Sequence, residues 1–170
     1  MTTIYHTHDR ETACCFTGHR EIPLGLKGHL YNRIMEGVNY LHTRNIKTFL
    51  SGGAVGFDTL ASRAVLECRE SKPDIRLILV IPCQDQARYW TPDERDAYEH
   101  IKALANGVVC LSEHYYRGCM HRRNRYLVDN SACCICYLTE SKGGTAYTVG
   151  YARGKGLRIF NLARPKGAGV

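Results

Sequence analysis

Three short segments combine glycines with hydrogen-bonding side chains, and each directly follows an apolar run. Ser141-Lys142-Gly143-Gly144-Thr145 follows Cys133 to Leu138 and leads into Ala146 to Arg153, which reads as a helix. Ser51-Gly52-Gly53-Ala54-Val55-Gly56 follows Phe49-Leu50, and Thr17-Gly18-His19-Arg20 follows Ala13 to Phe16. A strand that ends in a glycine-rich turn and opens a helix offers an anion site. Glycine lets the backbone approach a phosphate closely, and the first helical N–H groups and the dipole favour negative charge. One such turn is a weak signal. Three in a small chain point to a bound phosphate ester, above all a nucleotide.

Further residue types fit that chemistry, each with a structural alternative. In Arg117 to Arg125, helical spacing puts Arg123 and Asn124 on the inward side with Met120, Leu127 and Val128, and turns Arg122 and Arg125 outward. Cations at a helix N-terminus oppose the dipole, and a bound anion relieves the conflict. Arg123 is therefore either ligand-facing or paired with a carboxylate such as Asp58 or Asp129. Asp58, just after Gly56, suits ribose hydroxyls or a catalytic base, and equally suits a helix start. The single Trp, Trp90, can stack on a base or cover the core. His19 can hydrogen-bond phosphate or ribose, or simply satisfy its turn.

Metal and thiol chemistry are less well served. Cys133-Cys134-Ile135-Cys136 lacks ligand spacing, because alternation along a strand sends neighbours to opposite faces. His114, Cys119 and His121 lack an evident fourth ligand, so no metal is expected. Cys83 and Cys119 are the loop thiols, and both read as bystanders rather than nucleophiles.

The elements that position these residues alternate strictly. Apolar runs at 13–16, 47–50, 75–81, 108–111, 133–138 and 157–162 read as strands. Helical periodicity fills the gaps: Leu26 to about residue 43, Phe57 to Cys68, Pro92 to Ala105, Met120 to Ser131, and Thr145 to Arg153. Ile75 to Ile81 is nearly continuous, as a central strand covered on both faces requires. The pattern implies an α/β Rossmann-like, doubly wound, mostly parallel sheet with helices on both faces. In such sheets ligands bind beyond the carboxyl ends of the strands, which is where the three glycine turns fall. A single domain over 11–162 is expected, with 1–10 and 163–170 as loose termini.

The 170 residues carry a net charge of +7, and 16 of the 23 basic residues are Arg, whose planar fork matches phosphate oxygens in pairs. The nine cysteines, most of them inside apolar runs, suit a reducing cytoplasmic setting. No apolar run reaches membrane-spanning length and the first ten residues lack a signal-peptide core, so no membrane partner is expected.

Five segments together resemble the YpsA-like family of the SLOG superfamily: CCFTGHR from Cys14, LSGGAVGFD from Leu50, IPCQDQARYW from Ile81, GCMHRRNRYLVD from Gly118, and GGTAYTVGYA from Gly143. The resemblance covers about residues 11–162. It implies a Rossmann-like fold, a site for nucleotides or nucleotide-derived signals, and a homo-oligomer associating through helices. In helix 26–41, Tyr31, Met35 and Tyr40 widen the apolar face, which suits either an interface or a broad core face. The superfamily includes Lonely Guy phosphoribohydrolases and the DNA-processing protein A family. Lonely Guy enzymes place a glutamate shortly after the Gly-Gly-Thr turn, whereas here Ala146, Tyr147 and Thr148 follow. The family pattern also leads one to expect an acidic residue at Arg63 and an aromatic near Leu60.

The expected site is thus Thr17, Gly18, His19, Arg20, Ser51, Gly52, Gly53, Asp58, Trp90, Arg123, Asn124, Gly143, Gly144 and Thr145. The leading expectation is a binding protein for a nucleotide-derived small molecule of the ADP-ribose type. The alternative is a nucleotide hydrolase cutting an N-glycosidic or phosphate bond, with Asp58, or else Glu140, as its carboxylate. DNA binding is the weaker alternative, since no nucleic-acid motif accompanies the basic charge.

Overall fold

The structure is a computed structural model that describes residues 8–164. Six strands form one sheet: β1 (Ala13–Gly18), β2 (Thr48–Ser51), β3 (Arg76–Ile81), β4 (Gly107–Cys110), β5 (Cys133–Tyr137) and β6 (Arg158–Asn161). Five helices connect them: α1 (Lys27–Thr43), α2 (Phe57–Ser71), α3 (Pro92–Leu104), α4 (Cys119–Asp129) and α5 (Gly144–Gly154). Every adjacent pair is parallel, and the spatial order is β4-β3-β2-β1-β5-β6.

Two apolar layers follow from the alternation of side chains along the strands. Cys14, Phe16, Cys133 and Ile135 face α1, α2 and α3, joining Ile34, Val38, Ala61, Val65 and Ile101. Ala13, Cys15, Cys134 and Cys136 face the opposite way, against Leu127 and Val128 of α4 and Val149 and Ala152 of α5. The cysteine-rich strand β5 is therefore split between two dry layers, where thiols pack as small hydrophobes. All nine cysteines are free.

The chain winds leftward from β1 to β4, then crosses the sheet through α4 and resumes at β5. The switch in strand order falls between β1 and β5, whose register runs from Cys14 opposite Cys133 to Gly18 opposite Tyr137. The loops after these two strands diverge to opposite faces and open a crevice at the sheet's carboxyl end.

The termini are more ordered than their composition implied, as far as they are described. His8 Nε2 lies 2.9 Å from the Asn130 carbonyl and Arg10 Nε donates to the Ser131 carbonyl. At the other end, Arg33 donates to the carbonyls of Leu162 and Arg164. These bonds tie 8–10 and 163–164 to the domain; the rest of the expected loose ends lies outside the described residues. Among the described residues, no helix is long and apolar enough to cross a membrane.

Candidate functional site

The crevice between β1 and β5 has a volume of about 270 Å³. Thr17, Gly18, His19 and Arg20 from the end of β1 line it, with Ala54 and Asp58 at the start of α2. Arg123 and Asn124 of α4 and Lys142, Gly143, Gly144 and Thr145 before and at the start of α5 complete the wall. Four segments far apart in sequence thus meet where the topology opens the sheet.

The three glycine turns serve different purposes. A Cβ on Gly18 would overlap the Phe57 ring, and one on Gly56 would overlap the Arg20 carbonyl. On Gly52 it would overlap the Arg123 guanidinium and come within 2.9 Å of Asp58 Oδ2. At these glycines the space a Cβ would take is filled by the protein's own groups. Gly143 and Gly144 differ: no heavy atom lies within 4 Å of a Cβ built on either. Gly143 adopts φ 101°, a region that favours glycine, and caps α5 without a side-chain bond to the helix. The first N–H groups of an α-helix have no partner within it, so this terminus keeps donors for an anion.

Ser51 and Gly53 stand behind the wall rather than on it. Ser51 is fully buried; its Oγ accepts from the Gly53 amide at 3.2 Å and from Ser62 Oγ at 3.0 Å. Gly53, at φ 65°, backs onto Tyr98 and Gln86. Trp90 is a correction of another kind: its ring meets Tyr98 edge-on at 5.3 Å and packs on the α1–α3 layer, outside the crevice lining.

Asp58 and Arg123 are the buried charges of the site, 7% and 6% exposed. Arg123 Nη1 donates to the Gly52 carbonyl at 2.6 Å, and its Nε donates to Asn124 Oδ1 at 2.8 Å. Asp58 Oδ2 accepts the Ala54 amide at 3.1 Å. Burial pushes the Asp58 carboxyl above its ordinary range, opposed by Arg123, the Ala54 amide and Arg20. Burial likewise lowers the Arg123 guanidinium, opposed first by Asp58. Arg123 thus lines the crevice while its guanidinium is bonded to the Gly52 carbonyl, with Asp58 as the foremost charge acting on it.

His19 Nε2 accepts the Thr139 amide at 2.9 Å, and the ring meets Tyr137 edge-on at 5.8 Å. It staples the β1 loop to the β5 loop while remaining on the crevice wall. Arg122 is exposed, donating to the Leu111 carbonyl at 2.9 Å. Lys142 and Met120, absent from the expected set, also line the crevice. Lys142 was legible from its place inside the Gly-Gly-Thr turn. Met120 was signalled only by the helical face it shares with Arg123.

The thiol candidates are poorly placed for nucleophilic work. Cys83 and Cys119 are both buried, and burial, with Asp85 next, pushes the Cys83 thiol up to about 12. Among the described residues, no group of three or more His, Cys, Asp or Glu side chains could hold a metal ion.

A Rossmann-like sheet with an open helix terminus and buried arginine at its switch point defines the class of protein. The family model described as the YspA SLOG family matches residues 14–157, and the chain belongs to this YpsA family. It is similar to the uncharacterized SPbeta prophage-derived protein YoqJ of Bacillus subtilis (strain 168), 25% identical over 137 residues, covering 73% of this chain and 80% of that protein. The UPF0398 protein YpsA of the same organism is 23% identical over 134 residues, with 77% of this chain and 70% of that protein covered. Among solved structures, DNA processing protein A from Helicobacter pylori matches 93% of this chain and 68% of its own, at 20% identity and a TM-score of 0.66. The Streptococcus pneumoniae DNA processing protein A matches with a TM-score of 0.69 and 17% identity, over 93% of this chain and 52% of that one. These likenesses establish the fold.

Proposed function

We propose that the crevice binds a nucleotide or nucleotide-derived signal of the ADP-ribose type, with its phosphate on Gly143–Thr145. The single observation that carries this reading is the open space over Gly143 and Gly144 at an uncapped helix N-terminus, while the other turn glycines are occupied from within. Lys142 and Arg20 supply exposed positive charge at the same crevice. Asp58 repels a phosphate, so its carboxylate sits on the ribose side, where sugar hydroxyls can donate to it.

A thermal-shift series with NAD, ADP-ribose, AMP and cyclic nucleotides tests this. Selective binding to the folded state raises Tm, by about 2.7 kcal/mol of stabilisation at a hundredfold excess over Kd. No shift with any phosphorylated nucleotide at millimolar concentration overturns the reading.

One observation favours a hydrolase as the second reading: Asp58 is a buried carboxylate on the crevice wall with its proton affinity raised. Base release from nucleoside 5′-monophosphates, abolished in Asp58→Asn, would establish it. The Helicobacter protein's structure is described as showing single-stranded DNA binding. A single strand offers the same phosphates, so a DNA reading shares the Gly143–Thr145 contact.

A further inference from the structure

A second basin, about 510 Å³, opens beside the crevice and shares Arg20 and Met120 with it. Asp85, Gln86, Arg88 and Tyr89 from the loop after β3 line it, together with His114 and Tyr115 from the loop after β4. We propose that this basin is the nucleobase subsite of the ligand whose phosphate lies at Gly143–Thr145, with the base stacked on Tyr115 or Tyr89. The inference rests on the nucleotide reading of the neighbouring crevice. The ligand chemistry it names is an unpaired base joined through a sugar to a phosphate, supplied either by a free nucleotide or by a single strand.

Exposure is the first observation. Tyr89 and Tyr115 leave 87% and 62% of their surface to solvent. Large apolar faces in water are costly, and two on one rim mark a recognition surface. Tyr89 already carries a cation on one face: the Arg88 guanidinium lies 5.2 Å from its ring centroid. Stacking on an aromatic ring tolerates any base, because every base has a π-face.

The second observation is rigidity. The Tyr115 amide donates to Asp85 Oδ1 at 3.1 Å, and the Gln84 amide reaches the carbonyls of Ser112 and Glu113. The backbones of the two tyrosine-bearing loops are therefore joined to each other without a ligand. Prepaid ordering of this kind lowers the entropic cost of binding.

The third is a side chain shared by the basin and the crevice wall. Gln86 is 8% exposed, and its Nε2 donates to the carbonyls of Gly52 and Gly53. Gln86 thus connects the basin to Gly52, and hence to the Arg123 wall of the crevice.

Calorimetry with AMP, ADP-ribose and ribose 5-phosphate on wild type, Tyr115→Ala, Tyr89→Ala and Tyr115→Phe tests the inference. AMP and ADP-ribose are expected to bind wild type more tightly than ribose 5-phosphate. Tyr115→Ala or Tyr89→Ala should weaken the two base-carrying ligands by roughly five- to a hundredfold. Ribose 5-phosphate should be unaffected, and Tyr115→Phe should retain the tight binding. Unchanged AMP affinity in both alanine variants overturns the inference and leaves the nucleotide reading standing. Failure of all three probes and of a short oligo-dT to bind wild type overturns the nucleotide reading, and this one with it. A short oligo-dT titrated in parallel separates the sources: Tyr-dependent binding of the oligonucleotide with none of AMP assigns the base to a strand.

Discussion

Arg123 reaches from α4 to the carbonyl of Gly52, 71 positions earlier in the chain, and its guanidinium fills the space a side chain at 52 would need. Binding wall and scaffold are therefore the same atoms at this point. Gly144, on the opposite wall, is unencumbered. The contrast sets the first prediction. Gly52→Ala must displace a buried, hydrogen-bonded guanidinium and should cost about 1–3 kcal/mol in urea unfolding. Gly144→Ala should leave stability unchanged or raise it by up to about 1 kcal/mol. Its Cβ would occupy the phosphate position, so nucleotide binding should be lost. Equal destabilisation by the two substitutions would contradict these separate roles.

The neighbouring arginines make the second prediction. Arg123→Ala leaves Asp58 buried without its main cation and the Gly52 carbonyl without its donor, which should cost about 3–5 kcal/mol of stability. Arg123→Lys keeps the charge and loses the fork, so it should recover only part of that and of any nucleotide affinity. Arg122→Ala removes an exposed side chain and should cost under about 1 kcal/mol. Chemical denaturation on the three variants, with calorimetry on those that fold, separates a defined site from a diffuse basic surface.

Asp58 gives a pH signature. Its folded-state affinity for protons is raised by burial, so the folded state holds the proton to higher pH than the unfolded chain, whose carboxyl titrates near 3.8. The stability contributed by the protonated form is full below 3.8 and is lost as pH rises through the higher folded value. The Tm of wild type minus that of Asp58→Asn should therefore shrink as pH rises from below 3.8. A difference that grows over that range would mean the charged form is the one the fold prefers.

Assembly is a separate matter. A homo-oligomer is proposed from the family resemblance, but the extra apolar residues of α1 have partners within the chain. Tyr31 donates to Glu67, Tyr40 meets Phe160 edge-on, and Met35 packs on the core. Light scattering should report a dimer in wild type that persists in Met35→Ala. A monomer at high micromolar concentration removes the proposal.

The six strands and five helices were legible because each is a local pattern. Apolar runs of four to seven residues alternate with helical stripes, and turn residues mark the ends. Even the split of Cys133, Cys134 and Cys136 between two faces followed from alternation alone. What sequence could not reveal is which atom occupies the space beside a glycine. Gly18, Gly52 and Gly143 look alike in their turns, yet Phe57 fills the first space, Arg123 the second, and nothing the third. That difference depends on residues up to 71 positions away. The two places open to Trp90 could not be separated for a related reason: a loop indole is placed by its tertiary neighbours, here Tyr98.

The strand order also has a consequence for how the protein is made. β1 lies in the middle of the sheet, between β2 and β5, and the staple that closes its outer side joins His19 to Thr139, 120 positions later. While the ribosome adds those residues, at about 5–20 per second, one edge of β1 has no partner for on the order of ten seconds. That edge carries Cys14, Cys15 and Phe16, an apolar strand with free backbone groups, the kind of template onto which other nascent chains pair. The last third of the chain therefore supplies the missing edge partner as well as half of the crevice, and translation that stalls before β5 leaves an aggregation-prone intermediate.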